Sequence, residues 1–258
     1  AIERIRLIHS ENVARGLEES DRIKTSLLSS VSHELRSPLA ATKASASSLR
    51  SHAVEWDSPA REELIATIDE EADALNLLVG NLLDMSRIEA GALQPKLRWN
   101  SIQEIVKGVE AKMRNQLHQH QVIYHIPEDF PLVSTDYVMM EQVFTNLFSN
   151  SVKYAPEKTE IKISAGIAEG NALIKVVNQS PPVPNEQLDS IFTKFHRITA
   201  ADKITGTGLG LSICKGIVEA NGGKIWAENA SDGFTFNISL PLTMGGELPR
   251  TPKDVIDG

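Results

Sequence analysis

The sequence predicts an all-α helical hairpin that pairs with a second copy as a dimeric four-helix bundle, followed by an α+β sandwich. Three observations point there. Apolar residues recur at helical spacing over two long stretches in the first third of the chain. From Ser101 onward, helical patterns and short alternating strands come in groups, as helices on one face of a mixed sheet require. A glycine cluster, Gly206-Thr207-Gly208-Leu209-Gly210-Leu211, then opens directly into another helical run.

The elements follow in order. Residues 1–19 read as a charged lead-in helix of coiled-coil type, and 20–92 as the hairpin. Ile23, Leu27, Val31 and Leu35 recur every fourth residue and lay one apolar stripe along the first helix. A loop is expected around His52–Asp57. Ser58-Pro59 then supplies an N-cap and a first-turn proline, with Glu62 and Glu63 at the positive end of the second helix. That helix carries Leu64, Ile68, Leu75, Leu78, Leu82, Met85 and Ile88, and Gly91 is its natural stop. Two such helices alone bury too little, so pairing with a second copy is the economical solution.

Residues 93–100 are expected as a linker, 101–241 as a second domain, and 242–258 as a disordered tail rich in Gly, Pro and charge. Ser101 with Glu104 forms a capping-box signature, giving a helix to about His118. Strands are expected at Gln121–Ile126 and Leu132–Ser134, and Asp136 caps a helix through about Lys153. Strands at Glu160–Ala168 and Ala172–Val177 flank the turn Glu169-Gly170-Asn171. After the glycine cluster come a helix to Asn221 and strands at Lys224–Asn229 and Phe234–Leu240.

Composition excludes several classes of function. The 258 residues carry a net charge of −8, the wrong sign for a duplex nucleic acid partner. One cysteine, Cys214, rules out disulfides and thiolate zinc sites, and its helical setting suits a small buried residue better than a nucleophile. No apolar run reaches the roughly 18 residues of a membrane span, so no membrane contact is expected of this fragment. It reads as the cytoplasmic portion of a longer, membrane-associated protein. His118, His120 and His125 are expected at a helix end and a strand surface, without a metal.

Three groups of residues carry chemistry. His33 sits in Ser32-His33-Glu34-Leu35-Arg36-Ser37-Pro38. A neutral imidazole is a competent nucleophile, and the Glu34 carboxylate can take the proton that attack releases. Pro38 leaves the Glu34 carbonyl without its helical partner and favours a bend just past the histidine; a simple kink without a role is the competing reading. In the second group Asn146 and Asn150 share a helix face, with Lys153 and Tyr154 close behind. Two asparagines inside a helix are unfavourable by propensity and call for a use, such as a magnesium ligand; a solvated polar face is the alternative. In the third, Gly206, Gly208 and Gly210 allow close backbone approach to a phosphate at a helix start. No Gly-Lys-Ser/Thr makes it a P-loop, and no dinucleotide fingerprint is complete. Thr199–Thr205 reads as a mobile lid hinged on those glycines.

Taken together, these groups resemble the sensor histidine kinases of two-component systems over roughly residues 20–241. Ser32–Pro38 is similar to the H box, Asn146–Tyr154 to the N box, Phe192–Arg197 to the F box and Gly206–Leu211 to the G2 box, in the family's order. Asn81–Gly91 is similar to the potassium-sensing KdpD-type branch. The resemblance implies a HisKA dimerisation and phosphoacceptor domain joined to a HATPase_c domain of the gyrase/Hsp90/MutL type. By position, His33 would be phosphorylated from Mg-ATP and Glu34 would be its base, with Ser37 at a place tied to phosphatase action. Asn146 would ligate Mg²⁺. Asn150, Lys153, Tyr154, Asn178, Phe195, Arg197, Gly206, Thr207, Gly208, Leu209, Gly210 and Leu211 would line the nucleotide. The partner would be the receiver domain of a response regulator.

One box departs from the family. Its G1 pattern, Asp-x-Gly-x-Gly, aligns with Asn178-Gln179-Ser180-Pro181-Pro182. Asn178 lacks the charge that strengthens a bond from the adenine amine, a loss of about 1 kcal/mol. Pro182 fixes φ and offers no N–H where the family has glycine. The alternative to an active kinase is therefore a degenerate binding module, non-catalytic or phosphatase-biased, with impaired adenine recognition.

Overall fold

The computed structural model describes Ser32 and residues 35–51, 58–196 and 208–243, and it divides into two compact units, one through Gly80 and one from Asn81. His33, Glu34, Arg197, Gly206, Thr207, the lead-in 1–19, the loop at His52–Asp57, the lid at Thr199–Thr205 and 244–258 of the tail lie outside the described residues.

The first unit is a helical hairpin of α1 (35–50) and the long α2 (Pro59–Glu89). Helix α1 runs on through Ser37 and Pro38. The start of α2 follows the sequence: the Ser58 hydroxyl accepts from the Arg61 N–H at 3.3 Å, Pro59 is the first helical residue, and Glu62 lies in the first turn. Leu78 is buried, while Ile65, Leu77 and Val79 are exposed.

The second unit takes in the last turns of α2 and contains two sheets. Strand β1 (Arg98–Asn100) pairs antiparallel with β3 (Val133–Thr135). The larger sheet has the order β2-β4-β5-β7-β6, formed by Gln121–His125, Glu160–Ala168, Asn171–Asn178, Gly233–Pro241 and Lys224–Ala230. β2 and β4 run parallel and the other pairs antiparallel. Alternation puts Ile161 and Ile163, Ala172, Ile174 and Val176, and Phe234, Phe236, Ile238 and Leu240 on the inner face. There they meet the apolar sides of α3 (Ile102–Lys112), α5 (Tyr137–Tyr154) and α6 (Gly210–Ala220) in one core.

Two expectations shift. Within 93–100, expected as linker, Arg98–Asn100 form a strand and the Lys96 N–H donates to Asp136 Oδ2 at 2.8 Å. The same carboxylate caps α5 through Met139 N–H at 3.1 Å, so one side chain ties the incoming chain to the helix start. The helix expected to about His118 stops at Lys112 and resumes as the short α4 (Arg114–Leu117). Met113 between them leaves helical geometry, and both Met113 and Leu117 turn into the core.

The end of α2 packs on α5 and α6. Gln142 Nε2 donates to Asp84 Oδ2 at 2.7 Å, Met85 is buried against Ser212, and Glu89 pairs with Lys194 at 2.5 Å. Ile88 occupies the space above Gly216, where an added Cβ would lie 2.7 Å from its Cδ1. Asn221, nearly fully buried, joins three segments. Its Oδ1 accepts from Thr135 Oγ1 and Asp136 N, both at 2.9 Å, and its Nδ2 donates to the Ile217 carbonyl at 2.8 Å.

Candidate functional site

Helix α5 supplies the first wall of the site. Val143 and Leu147 go to the core, which leaves Asn146, Asn150, Lys153 and Tyr154 along a neighbouring strip. Asn146 is itself buried, at 9% exposure, so its amide needs partners. Its Nδ2 donates to the Gly210 carbonyl at 3.4 Å, across 64 residues of sequence. Asn150 Nδ2 donates back to the Asn146 carbonyl at 2.9 Å, which answers the propensity problem in part. Lys153 and Tyr154 are exposed at the end of the helix.

The second wall is the start of α6. Among the described residues no side chain caps that end. Uncapped helix N-termini favour anions through the N–H groups of their first turn and the helix dipole. Gly210 lies against Asn146, and a Cβ there would be 3.6 Å from Asn146 Cγ. Gly208 has φ of 67° and its missing Cβ would stand 2.9 Å from Phe195 Cα, so no other residue fits without strain. Phe195 is held at φ of 59° and donates its N–H to the Gly208 carbonyl at 3.1 Å. The predicted F and G2 boxes thus brace each other. Leu209 is wholly buried, so its side chain belongs to the core and only its backbone can reach a ligand. Leu211 packs against the core's edge.

Asn178 closes the far end of the site at 1% exposure on the last residue of β5. Its Nδ2 donates to Ser151 Oγ at 3.0 Å, and its Oδ1 accepts from the Ser180 N–H at 2.9 Å. Ser151 in turn donates to the Leu147 carbonyl at 2.9 Å, so α5 touches both Gly210 and Asn178. Pro181 and Pro182 are exposed, and the loop after them is clamped by Asn229. The Asn229 Oδ1 accepts from Val183 N–H at 3.0 Å, and its Nδ2 donates to the Val183 carbonyl at 2.7 Å. Sequence reasoning missed Ser151 and Asn229; a lone helical serine and a strand asparagine give no signal of a contact 27 or 46 residues away.

Cys214 lies beneath Asn146, fully buried, with Sγ 3.7 Å from the Val143 carbonyl. Burial pushes its thiol up to about 12, which makes it inert as a nucleophile. Among the described residues no group of three or more His, Cys, Asp or Glu side chains is arranged to hold a metal ion. No described helix is long and apolar enough to cross a membrane.

Residues 23–91 match the model of the His Kinase A (phospho-acceptor) domain, and 135–244 that of the histidine kinase-, DNA gyrase B- and HSP90-like ATPase. The chain belongs to the sensor histidine kinases. It is 37% identical over 236 residues to the sensor protein KdpD of Mycobacterium tuberculosis, covering 88% of this chain and 27% of that protein. To KdpD of Escherichia coli it is 34% identical over 256 residues, covering 99% and 28%. The chain therefore spans little more than a quarter of these relatives. Among solved structures, the catalytic domain of histidine kinase ThkA matches at 29% identity and TM-score 0.51, over 57% of this chain and 95% of that one. ThkA in complex with the response regulator TrrA shares the fold at TM-score 0.62 and 24% identity, over 88% of this chain and 64% of that one.

Proposed function

We propose that this chain is the kinase core of a two-component sensor, autophosphorylating His33 from Mg-ATP and passing the phosphoryl group to an aspartate of a response-regulator receiver. The observation that carries the reading is the meeting of the Asn146 amide with Gly210 at the start of α6. An amide oxygen beside a helix N-terminus fits a divalent cation carrying phosphates. Asn146 would hold Mg²⁺, which neutralises charge on the phosphates when bound. Gly206, Thr207, Gly208 and Gly210, with the backbone of Leu209 and Leu211, would flank the triphosphate. Asn150, Lys153 and Tyr154 would line the nucleotide, Asn178 would face the base, and Phe195 and Arg197 would stand at the lid.

A ring nitrogen of His33 attacks the γ-phosphorus as the bond to the bridging oxygen breaks and ADP leaves, while Glu34 takes the imidazole proton. Little covalent work falls to the protein, so positioning dominates the rate. Ser37 is assigned to hydrolysis of the phosphorylated receiver. The exposed Ile65, Val79 and Leu83, which fall on one face of α2, support pairing with a second copy. This reading puts the chain in the cytoplasm, where ATP and receivers are found.

The uncharged, internally bonded Asn178 favours a second reading, a non-catalytic or phosphatase-biased module. One experiment separates the two. With γ-labelled ATP and Mg²⁺, wild type is expected to gain acid-labile, alkali-stable label that His33→Gln lacks. A folded wild-type dimer that gains none overturns the kinase reading and leaves the module.

A further inference from the structure

Asn178 carries an inference about which nucleotide the site takes, and it rests on the nucleotide-binding reading above. A primary amide has two acceptor lone pairs on oxygen and two donor hydrogens on nitrogen. Here Ser180 N–H uses one lone pair and Ser151 Oγ takes one hydrogen. The Ser180 N–H also fixes which end is oxygen, because a backbone donor cannot face the amide nitrogen. One acceptor and one donor remain on Asn178.

The neighbours do not change that balance. Ser151 accepts from Asn178 and spends its own hydrogen on the Leu147 carbonyl at 2.9 Å. Phe234, the cross-strand partner of Asn178, is buried edge-on to Phe236 with centroids 5.1 Å apart, and presents only carbon. The backbone is held as well, since Gln179 Nε2 donates to the Asp232 carbonyl at 2.7 Å across the adjoining hairpin.

Purines differ at the 6-position: adenine carries an amine, a donor, and hypoxanthine or guanine a carbonyl oxygen, an acceptor. An ionised carboxylate facing that position accepts from the amine and repels the oxygen. An amide with one free function of each kind meets either. We propose that Asn178 is a specificity-determining residue through which this site binds 6-amino and 6-oxo purine nucleoside triphosphates alike.

The test is calorimetric titration of the full chain with Mg-ATP and with Mg-inosine triphosphate, in wild type and Asn178→Asp. Inosine triphosphate changes the Watson–Crick edge without adding a 2-amino group. In wild type the two dissociation constants are expected within about threefold of each other, and in Asn178→Asp the ratio should favour ATP by about tenfold or more. In the variant the Ser180 N–H still donates to the carboxylate, and the Ser151 hydroxyl can donate to it by turning away from the Leu147 carbonyl, so the variant is expected to fold. The wild-type comparison stands without it in any case. A wild type that prefers ATP by about tenfold, or a ratio unmoved by Asn178→Asp, overturns the proposal while leaving nucleotide binding intact. Wild type that binds neither nucleotide overturns the nucleotide reading itself, and this inference with it.

Discussion

Replacing Gly216 by alanine tests how tightly the end of α2 is seated on α6. The new methyl carbon would lie 2.7, 2.8 and 2.9 Å from Ile88 Cδ1, Cγ2 and Cγ1. Carbon–carbon contacts are most favourable at about 3.5–4.0 Å, so the overlap is close to 1 Å. Both branches of the β-branched side chain crowd the same point, and a change of rotamer does not clear it. Overpacking of this kind costs about 1–3 kcal/mol, against a gain of about 1 kcal/mol when alanine replaces glycine inside a helix. Gly216→Ala is therefore expected to be neutral to destabilising by about 2 kcal/mol in wild type, but stabilising by about 1 kcal/mol once Ile88→Ala has emptied the space. The double-mutant cycle, read by urea unfolding with tryptophan fluorescence, should give a coupling of about 1–3 kcal/mol. A coupling below about 0.5 kcal/mol would refute the contact.

Three further outcomes are expected. Asn221→Ala takes the acceptor from Thr135 Oγ1 and Asp136 N–H at a buried point, while the Ile217 carbonyl keeps the N–H of residue 221, and should lower stability by about 3 kcal/mol in the same urea assay; a loss under about 1 kcal/mol would contradict the junction. Gly208→Ala forces a side chain into φ of 67° against Phe195, and should weaken Mg-ATP binding by about tenfold or more while the melting temperature moves by only a few degrees; unchanged affinity would contradict the brace. Cys214, its thiol raised by burial, should resist an aromatic disulfide reagent at pH 8 until the protein unfolds. The raised native value means that protonation is bound more tightly in the folded state, so the stability it contributes is complete below the ordinary thiol value of 9.0 and falls as pH rises towards about 12. Cys214→Ala should flatten that alkaline decline, and an unchanged slope would contradict the assignment.

Much of the fold is legible because its signals are local. Alternation along β4, β5 and β7, the Ser58 and Asp136 caps and the glycines after α2 and α6 each act within a few residues of themselves. The strand β1 is not legible in this way. Three residues, Arg98–Asn100, become a strand only because Val133–Thr135 lie beside them and Asp136 receives Lys96. The site divides along the same line. Asn146, Gly208 and Gly210 stand out as residues that are wrong for their surroundings unless used, and the fold brings Asn146 to Gly210. Ser151 and Asn229 are ordinary where they sit, and matter only through what folding places opposite them.

The proposed passage of phosphoryl from ATP through His33 to a receiver is measured directly by a pulse–chase. The chain is loaded with γ-labelled Mg-ATP, stripped of nucleotide and mixed with a purified receiver domain of a KdpD-type partner. Label is expected to leave His33 and appear on the receiver, and a receiver with its acceptor aspartate changed to asparagine should gain none. Label that never loads on wild type, or that reaches the receiver equally from His33→Gln, contradicts the claim.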